Sequence, residues 1–141
     1  MLNGHGDLHA YSINPRCVEQ LNYILMCTEA NLVLSSSWRY LVISEAMTVR
    51  GFEVLLRSHG VNACSKLLGI TRPDKEGDEF DERDRQILDW LKENRGEDPV
   101  SYVALDDTLL PLLGRRHIQT DPFVGLTRED ADKAIEVLNA I

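Results

Sequence analysis

Asp106 and Asp107 are adjacent carboxylates closing a short apolar run, Val103 to Leu105. Two packed acids side by side repel each other and lose solvation, so a compensating charge is needed. A hard divalent cation such as Mg²⁺ meets that need, held by one or two carboxylates with waters and substrate phosphate completing its shell. The competing reading is structural, since either aspartate can cap the turn that follows. A second stretch carries related chemistry. The apolar run Leu32 to Leu34 stops abruptly at Ser35, Ser36 and Ser37, ahead of Trp38 and Arg39. Serine hydroxyls and backbone N–H groups at a strand-to-loop turn suit a phosphoryl oxygen, although a serine-rich turn also caps a helix. Both runs read as buried parallel strands, and open α/β sheets bind ligands beyond the carboxyl ends of their strands. Ser35, Asp106 and Asp107 are therefore expected at one edge of a sheet, within reach of a shared ion or phosphate.

Other candidates are weaker. His5 and His9 lie four apart, but Gly4 and Gly6 disfavour a helix between them, so an exposed loop is the better reading. His59 fits a dipole partner at a helix end rather than a base.

The elements that must position these groups follow from periodicity and punctuation. Met1 to Ile13 reads as a loop. Asn14-Pro15 supplies a cap and a first-turn proline, and Val18, Leu21, Ile24 or Leu25, and Thr28 recur at helical spacing, giving a helix from Pro15 to about Thr28. After Arg39 one helix is expected through Phe52, Leu55 and Leu56, stopping near His59-Gly60. A third strand falls within Val61 to Ile70. Thr71 to Asp81, with Pro73, Gly77 and several acids, is a polar loop suited to serve as a lid. Asp81 caps a helix from Glu82 to Arg95 with Ile87, Leu88, Leu91 and Trp90 facing inward, and Gly96 ends it. The Tyr102 strand, a helical turn over Leu109 to Leu113 and a last strand at His117 to Thr120 come next. Asp121-Pro122 breaks that strand, and Thr127 with Asp130 forms a capping box for a terminal helix burying Ala131, Ala134, Ile135 and Leu138. Alternating strands and helices imply a parallel sheet with right-handed crossovers.

Composition sets bounds. The 141 residues suit one domain, residues 1–141, with a single core. A net charge of −8 argues against a broad nucleic-acid-binding face, though not against contact with one terminal phosphate. Cys17, Cys27 and Cys64 show no C-x-x-C spacing and read as buried thiols in a reducing compartment. With no leader or membrane-length apolar run in the sequence, a cytoplasmic location and no membrane partner are expected.

Taken in order, the segment ending at Trp38-Arg39, an arginine opening the Glu82 helix with its Trp90-Leu91, the Val-Ala-Leu run into Asp106-Asp107, and Gln119 to Thr127 resemble the haloacid dehalogenase (HAD) superfamily. More narrowly they resemble the small HAD domains of Swiss Army Knife RNA repair proteins, from about Leu2 to Ala140. The resemblance implies a three-layer, Rossmann-like parallel sheet flanked by helices. It implies that Ser35 holds the transferred phosphoryl group and that Arg83, with Arg85 as fallback, offsets charge on nucleophile and phosphate. Surface pairing with Glu79, Glu82 or Asp89 is the alternative for both arginines. Asp106 and Asp107 would hold Mg²⁺, with Thr108 where relatives often carry a third acid.

The superfamily's first motif is a central apolar strand ending in Asp-x-Asp-Gly, whose first aspartate forms an aspartyl-phosphate. No Asp-x-Asp-Gly occurs here. Met1-Leu2-Asn3 resembles the tail of that motif, with Met1 where a valine would stand, as if a GTG codon had been read as the start. Asp7, the only early acid, has no apolar strand before it and is not assigned the nucleophile's role. The expectation is an Mg²⁺-dependent phosphohydrolase domain lacking that first strand, silent as written and active when extended upstream. The alternative is a non-catalytic relative binding phosphate, metal or protein. The ligand is a phosphorylated small molecule or a nucleic-acid terminal phosphate. The expected strand order runs Cys64, Leu32, Tyr102, Ile118. The Leu32 and Tyr102 strands would then either pair directly or accept a strand from another chain in a homo-oligomer.

Overall fold

A computed structural model describes residues 13–73, 82–96 and 100–140. His5, Asp7 and His9, the Asp81 cap and most of the lid loop lie outside the described residues.

Asn14 caps α1 (Pro15–Thr28), its side chain accepting from the Arg16 N–H at 2.9 Å, and α1 buries Cys17, Val18, Leu21, Ile24 and Leu25. Glu29 ends it in the left-handed region, φ 55°. β1 (Leu32–Leu34) follows, then a 3-10 turn, Ser37–Arg39. The single helix expected after Arg39 is in fact two, α2 (Tyr40–Ile43) and α3 (Val49–Ser58). The chain turns at Glu45 (φ 63°), and Thr48 opens α3 by accepting from the Gly51 N–H. Gly60 stands past the end of α3 at φ 92°, a conformation without strain for glycine.

β2 (Leu67–Ile70) is the third strand. Gly69 keeps its surface open for Trp90, whose Nε1 would stand 3.4 Å from a β-carbon there. Glu53 on α3 accepts from the Leu67 N–H at 2.8 Å and ties helix to strand. That bond, with Arg57, Arg50 and Lys66 nearby and against some burial, holds the Glu53 carboxyl below its usual range.

α4 (Arg83–Arg95) corrects the sequence reading of its inner face. Its buried residues are Asp84 and Gln86, whereas Leu88 is 37% exposed and Ile87, Trp90 and Leu91 are only half-buried. The helix turns its polar first turn inward because that turn meets backbone and side-chain partners, described below. β3 (Ala104–Asp106) includes Asp106 in the strand itself. A 3-10 segment, Pro111–Arg116, leads to β4 (His117–Gln119). α5 (Arg128–Asn139) carries both halves of the Thr127–Asp130 capping box, at 3.2 and 3.1 Å, and buries Ala131 and Ala134.

Among the described residues the strands form two parallel pairs, β1–β2 and β3–β4. Direct pairing of the Leu32 and Tyr102 strands is therefore not how the chain closes; β1 and β3 are linked at their carboxyl ends through a side chain instead. Helices and small parallel sheets together make an α/β fold. Its core gathers α1, α3, β2, β4 and α5 around Phe52 and Ala131, with α1 and α5 packed together. Of the cysteines only Cys17 is buried; Cys27 and Cys64 are exposed, because they fall on an outer helix face and in a turn. No helix among the described residues is long and apolar enough to cross a membrane.

Candidate active site

Three backbone segments converge where β1 and β3 end. The serine turn comes first. Ser36 does what the structural reading allows, capping the 3-10 turn by accepting from the Trp38 N–H at 3.3 Å. That leaves Ser35 and Ser37 for other contacts. Ser35 Oγ accepts from the Thr71 hydroxyl at 3.3 Å, and the Thr71 N–H donates to the Leu34 carbonyl, so the end of β2 braces the end of β1. Ser37 Oγ accepts from Arg83 Nη2 at 3.0 Å.

The first turn of α4 is the second segment. Arg83 Nη1 lies 3.1 and 3.0 Å from the two carboxylate oxygens of Asp106. One guanidinium thus bridges the ends of β1 and β3, and a charge-assisted contact between such shielded side chains is stronger than an exposed one. Asp84, one residue on, turns the other way and accepts from the Leu112 N–H at 3.1 Å and the Arg85 N–H at 2.8 Å. Gln86 accepts from Arg39 at 2.7 Å. Arg39 is 0% exposed and also donates to the Ser35 carbonyl, so it joins the serine turn to α4 from beneath. Arg85 pairs with Glu82 at 2.9 Å on the surface.

The end of β3 is the third segment. Asp106 accepts from the Thr108 N–H at 2.9 Å, so it shapes the turn while also meeting Arg83. Its carbonyl accepts from the Thr120 N–H at 3.1 Å and lies 3.0 Å from His117 Nε2. Asp107 is half-buried; its carbonyl accepts from Gln119 at 3.2 Å, and its carboxylate meets the Thr108 hydroxyl at 3.5 Å.

The structure therefore brings Ser37, Arg83 and Asp106 into direct contact, joins Ser35 through Thr71 and Arg39, and sets Asp107 beside them. Arg85 stays outside. Sequence reasoning named Ser37 only with its neighbours in the serine turn and did not single out Arg39, Thr71, Asp84 or Gln86. The one available signal was Arg39, a lone cation at the head of the apolar run Tyr40 to Ile43. Among the described residues no group of three His, Cys, Asp or Glu side chains is placed to enclose a metal; the hard oxygen donors at this edge are Asp106 and Asp107.

A family model described as the HAD domain in Swiss Army Knife RNA repair proteins matches residues 2–131. No curated protein and no solved structure matches the chain. The match spans most of the sequence and includes each of the three converging segments, so the chain belongs to the HAD domain family of Swiss Army Knife RNA repair proteins.

Proposed function

We propose that residues 1–141 form one Rossmann-like, three-layer HAD-type phosphohydrolase domain that binds a phosphate ester with Mg²⁺ at the carboxyl ends of β1 and β3. The observation that carries this reading is Arg83, whose guanidinium meets the serine turn on one side and Asp106 on the other. In this role Ser35 and the neighbouring serine N–H groups hold phosphoryl oxygens, and Arg83 neutralises their charge. Asp106 and Asp107 fit Mg²⁺ by donor type, since Mg²⁺ needs only one or two carboxylates when phosphate and water supply the rest. The ion would draw charge from the phosphoryl oxygens. The Thr108 N–H and Arg83 aim the Asp106 carboxylate at this edge. The family's link to RNA repair favours a nucleic-acid terminal phosphate over other phosphorylated small molecules.

A second reading has its own support. The sequence contains no Asp-x-Asp-Gly, so this chain as written lacks the family's aspartyl-phosphate nucleophile and acts as a phosphate-binding domain without efficient turnover. Calorimetric titration of inorganic phosphate, with and without Mg²⁺, and an aryl-phosphate assay test both. Phosphate should bind more tightly with Mg²⁺; Asp106→Asn should remove the Mg²⁺ effect and Arg83→Met should weaken phosphate itself. Mg²⁺-dependent hydrolysis abolished by Asp106→Asn would overturn the silent reading, and absence of phosphate binding would overturn the site. A strand donated by a second copy to β1 and β3 is the corresponding proposal for assembly, and a native mass showing only monomer at working concentration would remove it.

A further inference from the structure

Thr71 stands against the serine that holds phosphate in the reading above, and its place there follows from strand register. β1 and β2 run parallel with Val33 opposite Gly69 and Leu34 opposite Ile70, so the next pair along is Ser35 and Thr71. Side chains alternate between the faces of a strand, and residues in register on parallel neighbours therefore share a face. The Thr71 N–H donates to the Leu34 carbonyl at 3.0 Å, which carries the ladder one residue past β2. The Thr71 hydroxyl then lies 3.3 Å from Ser35 Oγ. Thr71 is 1% exposed, whereas Ser35 is half-buried at the end of β1. A ligand arriving from solvent can thus meet the Ser35 hydroxyl and not that of Thr71.

The direction of this contact matters for an anion. A hydroxyl carries one hydrogen and two acceptor positions. With an anion beyond Ser35 the pair runs one way: Ser35 donates its hydrogen to the anion, and its oxygen accepts the hydrogen of Thr71. Two hydrogen bonds aligned in this sense polarise each other, which strengthens the outer one. The inner donor is also well held. Threonine is stiff about its first side-chain bond, and the backbone of Thr71 is tied to β1 through Leu34. Without that donor the Ser35 hydroxyl turns more freely, and its ordering has to be supplied when the ligand binds.

We propose that Thr71 is a positioning residue of the phosphate site, holding the Ser35 hydroxyl as a donor toward a phosphoryl oxygen while touching no ligand itself. The inference rests on the phosphate reading above and adds the residue that sets the direction of one of its hydrogen bonds. It makes the end of β2 part of the site, alongside the ends of β1 and β3.

Calorimetric titration of inorganic phosphate with Mg²⁺ into the full chain, in a cycle of Thr71→Val and Ser35→Ala, tests it. Valine keeps the shape of threonine and removes the hydroxyl; Thr71→Ser keeps the hydroxyl and removes the methyl group. Ser35→Ala should weaken phosphate roughly tenfold or more, as the loss of a hydrogen bond to a charged group does. Thr71→Val should weaken it roughly two- to tenfold, the range of a neutral hydrogen bond, and Thr71→Ser should restore most of the parent's affinity. In the Ser35→Ala background Thr71→Val should make no further difference, because Thr71 acts through Ser35. Equal weakening by Thr71→Val with and without Ser35 overturns the inference, since a general disturbance of the strand end acts in both backgrounds. Thr71→Val binding phosphate as the parent does overturns it too. Urea midpoints show whether each variant folds, and if Thr71→Val does not, Thr71→Ala read against Thr71→Ser carries the same comparison. A parent chain that binds no phosphate ends the phosphate reading and this inference with it; a parent that binds while the cycle is additive ends this inference alone.

Discussion

Replacing Arg39 by methionine tests whether the site rests on a buried charge. Arg39 is 0% exposed and donates to the Ser35 carbonyl and to Gln86 Oε1, itself on a residue only 2% exposed. Methionine keeps the length of the apolar stem but removes the guanidinium, so both acceptors lose a donor in a place that water reaches poorly. Each loss costs about 1–3 kcal/mol, which sets an expected destabilisation of roughly 2–5 kcal/mol. Against a typical domain stability of about 5–15 kcal/mol, the urea midpoint should fall strongly with the slope preserved. Arg39→Lys can serve one acceptor and should fall between the two. The sharper test is a cycle with Gln86→Leu. If the two side chains act on each other, the double variant should be less damaged than the sum of the single ones, because no shielded amide is then left without its donor. A loss below about 0.5 kcal/mol for Arg39→Met, the size of an ordinary surface substitution, would refute the reasoning, as would strict additivity in the cycle.

Other outcomes are expected. Asp106→Asn should weaken the hold on Arg83 and lower thermal stability modestly, besides removing the Mg²⁺ dependence of phosphate binding measured by calorimetry. Thr127→Ala removes the side-chain acceptor for the Asp130 N–H at the start of α5 and should cost about 1 kcal/mol in urea unfolding. The Glu53 and Asp121 carboxyls are both lowered in the fold, Glu53 first by the Leu67 N–H and Asp121 first by the Val124 N–H. The unfolded chain then binds protons at higher pH than the folded one, so the stability these groups add is complete above the ordinary carboxylate range. It is lost as pH falls through their folded values. Urea midpoints between pH 7 and pH 3 should decline in that acid window, and less steeply in Glu53→Gln; a flat profile would contradict the assignment.

The strand ends and caps were legible because their signals are local. The Leu32 to Leu34 run stops at three serines, Asn14-Pro15 opens α1, and Thr127 with Asp130 forms its box within one turn. What escaped was set by distant partners. Asp84 and Gln86 are buried because the Leu112 N–H and Arg39, 28 and 47 residues away, meet them. No periodicity within α4 encodes those meetings, and its apolar residues pointed instead to Leu88, which is partly exposed. The break between α2 and α3 turns on the left-handed Glu45, which no glycine or proline marks.

The choice between Arg83 and Arg85 turns on which face of α4 meets the strands. Residues two apart on a helix point about 200° apart at 3.6 residues per turn, so only one of the pair can face the strands. Gln86 and Ile87, three and four residues after Arg83, share its face. Gln86 is buried against Arg39 and Ile87 is half-buried, whereas Arg85 meets Glu82 in the open. The sequence alone left both open, because Ile87 stands four residues after Arg83 and Leu88 three after Arg85; the half-buried Ile87 and exposed Leu88 settle it for Arg83. The same geometry fixes what losing Arg83 alone would do. Arg83→Gln leaves Arg85 as a cation in the first turn of α4, aimed away from Ser37 and Asp106. Phosphate affinity should fall as far as in Arg83→Met. An affinity close to that of the parent chain would show that Arg83 does not carry the phosphate.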